Sequence, residues 1–165
     1  MRIERAPGFE AYVGRSSRAE HEEMLVSPRH IYFVGLDGRD EIVAFAILGD
    51  IDAHGNIWLK RIAVARPGGG IGSSFLGQVV DWAFSQPRAY RFYLDCFVEN
   101  ARARGLYEKL GFTRDGVLRQ AYVGADGVRH NLTLMALLRP EWDVLAQNRE
   151  GAARKVCRSR ESSPD

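Results

Sequence analysis

Cysteine is scarce in this chain: Cys96 and Cys157 are its two, with no CxxC spacing and no histidine beside either. That leaves no basis for a disulfide framework or a zinc site, and no metal is expected. Cys96 sits in an apolar, strand-like run and reads as a small core residue, whereas Cys157 lies in a polar tail and reads as a free surface thiol. Long apolar runs are missing as well. No stretch approaches the length that spans a bilayer, so no membrane partner is expected. The opening residues, Met1 to Arg5, mix Arg2, Glu4 and Arg5 and lack the layout of a secretory signal, which points to the cytoplasm. A dominant charge is also absent. The formal net charge is +2, whereas nucleic-acid-binding domains usually carry a strong basic stripe, so no nucleic-acid partner is expected.

What is present is the composition of an ordinary globular protein. A chain of 165 residues buries one real core more readily than two. There is no internal repeat. Residues 1–147 read as a single domain, and 148–165 as a polar tail expected to be disordered. Phe9 to Val26 predicts one or two short helices, with Ser16 and Ser17 available as caps and Pro28 just past the end. HIYFVGL (30–36) and EIVAFAIL (41–48) flank the turn residues Asp37-Gly38-Arg39-Asp40 and predict a β-hairpin. IWLKRIAV (57–64) is a third long strand. Ile71, Phe75, Val79 and Ala83 recur at helical spacing and predict a helix that ends before Pro87. Arg91 to Val98 predicts a strand. Asn100 opens a further helix, and Gly111 closes it. Two more strands, 112–123 and 128–138, are joined across Asp126-Gly127. The fold class is therefore mixed α/β, in the order α, ββ, β, α, β, α, ββ.

Gly68-Gly69-Gly70-Ile71-Gly72 lies between a strand and a helix. Glycines let the backbone approach a ligand, and the first N–H groups of a helix lack internal partners and favour phosphate. Ser73 and Ser74 add hydroxyl donors in that first turn. Alone, such a loop can equally be a turn that needs positive φ. No Gly-Lys-Ser/Thr ending follows, which excludes a nucleotide P-loop, and the glycine spacing is wrong for a dinucleotide fingerprint. A phosphate-bearing ligand other than ATP or NAD rises in rank. Downstream, Asn100 stands at a strand-to-helix junction, where asparagine serves well as a cap. Tyr107 follows two turns later on the same face, the placement of a half-buried aromatic with its hydroxyl at the edge of the core.

Three stretches together carry a resemblance: Leu59-Lys60-Arg61-Ile62-Ala63-Val64, the loop from Gly68 to Gly72, and Asn100-x-x-Ala103-x-x-Leu106-Tyr107-Glu108-Lys109-Leu110-Gly111-Phe112. On them the chain resembles the GCN5-related N-acetyltransferase superfamily from about residue 31 to 138. VLRQAYV and LMALLRPEW in the closing strands look like its branch of small-amine and protein N-terminal acetyltransferases. The resemblance implies a mixed, mostly antiparallel sheet flanked by helices, with a V-shaped splay between two central strands that takes acetyl-CoA. It puts the pyrophosphate on the amides of Gly68, Gly69, Gly70, Ile71, Gly72 and Ser73, and the pantetheine arm along Ile62, Ala63 and Val64. Asn100 would hydrogen-bond that arm, and Tyr107 would face the thioester sulfur. Two positions depart from the pattern. Pro67 stands where Gln or Arg is frequent, with Arg66 beside it as the remaining phosphate contact, and Trp58 stands near the usual glutamate base.

The activity so implied is transfer of an acetyl group from acetyl-CoA to a primary amine by direct attack on the thioester. An alkyl amine with a pKa of about 10 must lose a proton first. Backbone N–H groups near Ile62 to Val64 would serve the oxyanion, and Tyr107 would protonate the departing thiolate. Asp50, Asp52, His54, Asp95 and His130 are the candidates for the base. The acceptor is open between a protein amine, a polyamine, an aminoglycoside and another small amine, with Glu10, Glu20, Glu22 and Glu23 as a cluster that could attract a cation. A homodimer is expected from the resemblance alone. The alternatives are a non-catalytic acyl-CoA-binding or regulatory domain on the same fold, and an interaction domain whose basic tail (Arg154, Lys155, Arg158, Arg160) docks an acidic partner.

Overall fold

The computed structural model describes residues 3–5, 16–66, 68–124 and 127–161, the side chains of 5 and 152–161 excepted. The expected helix start at Phe9, together with Glu10, Pro67, Asp126, the Cys157 thiol and the basic side chains of the tail, lies outside these residues. After a short 3-10 turn at Ile3–Arg5 come α1 (Arg18–Val26), β1 (His30–Leu36), β2 (Ile42–Gly49), β3 (Asn56–Val64), α2 (Ile71–Ser85), β4 (Arg91–Phe97), α3 (Ala101–Lys109), β5 (Thr113–Val123), β6 (Arg129–Leu138) and α4 (Arg139–Glu161). Helix α1 starts at Ser17 because a full capping box forms there. The Ser17 hydroxyl accepts from the Glu20 N–H at 3.2 Å, and the Glu20 carboxylate accepts from the Ser17 N–H at 2.6 Å. The β1–β2 turn is held by Asp37, whose carboxylate accepts from the N–H groups of Arg39 and Glu41.

The six strands form one sheet in the order β1-β2-β3-β4-β6-β5. All neighbours are antiparallel except β3 and β4, which run parallel. The parallel pair is short. It runs from Asn56↔Arg91 to Leu59↔Leu94 and stops, although β3 continues to Val64 and β4 to Phe97. Past Leu59 the two strands part, and the sheet opens there as the resemblance implied. The other edge of β3 is irregular at the same point. Leu48 faces Leu59 and Ile47 faces Arg61, so Lys60 is a bulge with no opposite residue on β2.

The main core lies between the sheet and helices α2 and α3. Leu48, Ile57, Leu59, Leu76, Val79, Phe92, Leu94, Cys96, Tyr107 and Leu137 are all buried in it. A smaller cluster of Met24, Phe45, Ile47 and Ala63 seats α1 on the opposite face. Helix α4 was not foreseen. It runs on through residue 148, where a disordered polar tail was expected. Its first turns are anchored by Trp142, which stacks on Phe84 at 5.4 Å between ring centroids and donates from its indole N–H to Asp81 at 2.8 Å. Arg149 reaches the same carboxylate at 2.8 Å.

Candidate active site

The gap between β3 and β4 is a cleft of about 640 Å³ floored by the two strands and walled by the start of α2 and the length of α3. Of the residues singled out from the sequence, Ile62, Ala63, Val64, Gly68, Gly70, Gly72, Ser73, Asn100 and Tyr107 line it. Arg66, Gly69 and Ile71 do not. They line a separate hollow between the β1–β2 hairpin and α2, together with Gly70 and Ser74, and the Arg66 side chain is exposed.

The glycine loop is built for backbone conformation rather than for space. Gly68, Gly69 and Gly70 have φ of 113°, 63° and 80°, and a Cβ at any of them would meet nothing within 4 Å. Positive φ in three consecutive residues is costly for any other residue type. Gly70 is the N-cap of α2 and has no side chain to cap it. The first-turn N–H groups of α2 are therefore left to an outside acceptor, which is the arrangement that binds phosphate.

Asn100 is the N-cap of α3. Its Oδ1 accepts from the Ala103 N–H at 3.0 Å, while its NH₂ group can still donate to a ligand. Asn100 thus caps the helix and also lines the cleft. Tyr107 is 6% exposed and packs with Cys96 and Phe112 in the core. Burial, with smaller contributions from Cys96 and Asp95, pushes its hydroxyl well above the ordinary phenol range. Burial likewise pushes the Cys96 thiol up to about 11. A neutral thiol there is a poor nucleophile, which disfavours a route through an acyl-cysteine. Gly111 ends α3 at φ 95°, as the sequence indicated, and a Cβ there would run into Leu145.

The five candidate bases separate clearly. The Asp52 carboxylate accepts from the N–H groups of His54 and Asn56 and from the Asn56 side chain, and those bonds hold it below the usual carboxylate range. It shapes the β2–β3 turn. Asp50 and His54 are exposed and outside the cleft. His130 packs its ring edge on Phe97 at 5.3 Å. Asp95 alone of the five lines the cleft, with Trp58 beside it. Desolvation pushes its carboxyl above the usual range, opposed by the Trp58 indole N–H, which donates toward it.

Sequence reading missed several neighbours. Arg102 and Lys109 present two cations to the cleft from exposed positions on α3, and their spacing of two helical turns was a usable signal. Arg61 was quoted only as part of a strand. Its guanidinium donates to Glu4 at 3.0 Å and to Ser16 at 3.1 Å, and His21 joins Glu4 at 3.1 Å and Tyr32 at 2.9 Å. Glu4 is 0% exposed. This buried network ties the first described turn to the bulge of β3, and nothing local in the sequence announces it. Two of the acidic residues of α1 are engaged in the helix itself, Glu20 in the capping box and Glu22 in a 2.7 Å pair with Arg18, and Glu23 is exposed. Among the described residues no cluster of His, Cys, Asp or Glu could hold a metal ion, and no helix is long and apolar enough to cross a membrane.

Comparison with known proteins follows the geometry. A family model described as the acetyltransferase (GNAT) family matches residues 1–112. A probable spermine N(1)-acetyltransferase of Bacillus subtilis subsp. natto is 29% identical over 93 residues, 52% of this chain and 61% of that relative. The match thus spans less than two thirds of the curated relative. Among solved structures, the spermidine N-acetyltransferase of Vibrio cholerae in complex with CoA and spermine superposes with a TM-score of 0.69 at 24% identity, covering 78% of this chain and 79% of that one. A dodecameric structure of the Vibrio cholerae enzyme in an intermediate state gives 0.66 at 22% identity, covering 74% and 72%. At these identities the superpositions establish the fold.

Proposed function

Because the chain belongs to the acetyltransferase (GNAT) family, we propose that it transfers the acetyl group of acetyl-CoA to a primary amine by direct attack on the thioester. The single observation that carries this is the cleft itself, where α2's uncapped first turn, the free edge of β3 and the Tyr107 phenol meet around one space. In this reading the pyrophosphate sits on the amides of Gly68 to Ser73, with Arg102 and Lys109 supplying positive charge, and Arg66 lies at the rim. The pantetheine arm runs along Ile62, Ala63 and Val64, whose β4-side edge is free of strand pairing, and Asn100 donates to it from its NH₂. The bulge at Lys60 breaks the regular pairing of β3 beside the cleft, and a backbone N–H of this stretch would serve the carbonyl oxygen as it gains charge.

Tyr107 is the acid. Its raised pKa keeps it protonated, and in water a phenol is a weaker acid than a thiol, whose ordinary pKa is about 8.5. The same desolvation acts on both partners, however. It pushes the neighbouring Cys96 thiol up to about 11, and a thiolate expelled into this cleft is made more basic by the same cause. Tyr107 within the cleft also speaks against the non-catalytic alternative.

The proposal takes the protein as cytoplasmic, as one domain through residue 147, and as acting on a small-molecule amine. Spermine and spermidine are the first acceptors to test, given the names of the relatives. We carry the homodimer forward on the same footing, with the dodecameric Vibrio cholerae structure as support for self-association. The deciding experiment is thiol release from acetyl-CoA across a panel of polyamines, aminoglycosides, small amines and peptide N-termini, beside calorimetry with CoA. Amine-dependent release with at least one acceptor is expected. CoA binding without release on any amine would leave only a binding domain, and no CoA binding would end the proposal.

A further inference from the structure

The proposed reaction needs a group that takes a proton from the ammonium, and the family's usual glutamate position offers only Trp58. The geometry points to Asp95 on β4, with Trp58 beside it in the cleft wall, as that proton acceptor. This inference rests on the acetyl-transfer reading above.

The sheet decides which side each group occupies. Register partners on adjacent strands share a face, and residues two apart on one strand share it too. Trp58 faces Tyr93 across the parallel pair, so Trp58, Tyr93 and Asp95 project to one side. Leu94 and Cys96 project to the other, into the core that contains Tyr107. The strands separate immediately after Leu94. Asp95 is thus the first β4 residue to face the gap from the side away from α2 and α3, while Tyr107 faces it from the helical side. A proton acceptor and a proton donor on opposite sides of one opening match a reaction in which the amine enters from one side and sulfur departs on the other.

Composition of the wall supports the assignment. Among the described residues, Asp95 is the sole carboxylate that lines the cleft, and no histidine lines it. Tyr93 and Cys96 on its own strand and Tyr107 on α3 all feel its charge, Lys60 and Arg61 line the same cleft from β3, and His130 on β6 packs on Phe97 instead. The two phenols and the thiol are each pushed up, first by burial, and none competes as a base near neutral pH. Lys60 lies 5.6 Å from the Trp58 ring centroid, and Arg61 is paired with Glu4. A carboxyl moved up from its ordinary value is a stronger base than a solvated one.

Protons balance as follows. The ammonium gives one proton to the Asp95 carboxylate, and the free amine attacks the acyl carbon. The C–N bond forms, and nitrogen sheds its second proton to water. The C–S bond breaks as Tyr107 gives its proton to sulfur, and both side chains then reset with solvent. The sum is ammonium plus thioester to amide, thiol and one proton.

The test is Asp95→Asn beside Trp58→Phe in the full chain, with acetyl-CoA affinity and thermal melting measured on each. Asp95→Asn is expected to lower kcat about 10²- to 10⁴-fold with acetyl-CoA affinity unchanged. Its residual rate should climb with pH as solvent deprotonates the amine. It should melt no lower than the parent. Raised in the fold, the Asp95 pKa makes its charge a cost above the unfolded value, so removing that charge relieves the cost. Trp58→Phe removes a donor that lowers the Asp95 pKa, and so should move the rising limb of the pH–rate profile to higher pH. Parent-like kcat and pH profile in Asp95→Asn would overturn the inference and leave acetyl transfer standing. Lost acetyl-CoA binding or a lower melting temperature in that variant would also overturn it, because Asp95 would then be structural. A parent protein inactive on every amine would overturn both.

Discussion

Tyr107 shows how far one side chain's role depends on what surrounds it. Its spacing from Asn100 put it on the right helix face, but free phenol chemistry would make it a modest acid in water. Buried against Cys96 and Phe112, it is held neutral far beyond physiological pH, and a thiolate in the same pocket is made more basic. Tyr107→Phe should therefore reduce kcat about 10²- to 10⁴-fold while calorimetric affinity for acetyl-CoA stays near the parent value. Because the ring remains, the core should be little disturbed, and an equal kcat would remove the phenol from the acid role. Asp95 is legible by the same logic only after folding. In the sequence it is one carboxylate among twenty-one acidic residues. Its distinction comes from the strand separation beside it.

At the scale of elements, the loop from Gly68 to Gly70 and the start of α2 act as one unit. The glycines supply three positive φ angles, and the helix supplies unpaired N–H groups. Gly70→Ala puts a side chain into open space, so its cost is backbone strain, roughly 1–2 kcal/mol. Strain of this kind either lowers stability or is relieved by turning the amides away from the phosphate. The expected result is an acetyl-CoA dissociation constant raised about tenfold, read by calorimetry, with kcat at saturation close to the parent. Unaltered affinity would show that the loop is only a turn. Element identities and most boundaries were legible because turn chemistry marks them: Ser17 with Glu20, Asp37, Asn100 and Gly111 each ends or begins an element by a local hydrogen bond or a positive φ. Helix α4 was not legible as a structural element. Its polar run resembles a tail, and what fixes its first turns is the distant pair of Asp81 and Phe84.

Across the whole molecule, α4 closes the fold. Trp142 covers Phe84, and Leu145 covers Gly111, so the helix braces both α2 and the end of α3. A chain ending at Gly151 keeps those contacts and the Arg149–Asp81 pair. It should bind acetyl-CoA and melt within a few degrees of the full chain, about the span of a 1 kcal/mol change. A chain ending at Leu138 should lose several times more in melting temperature and weaken acetyl-CoA binding, because the α3 wall loses its support. Equal melting for both truncations would show that α4 adds nothing to the domain. The sequence by itself determined the strands, the two helices that wall the cleft, the glycine loop and the membership they signal, because each is written in periodicity, turn residues or a contiguous motif. Only the tertiary structure decided that Asp95 lines the cleft, that Arg66 stands aside from it, and that Glu4 is buried against Arg61. Those facts depend on where two parallel strands stop pairing and on contacts between residues as many as 57 positions apart, and no local pattern encodes a distance of that kind.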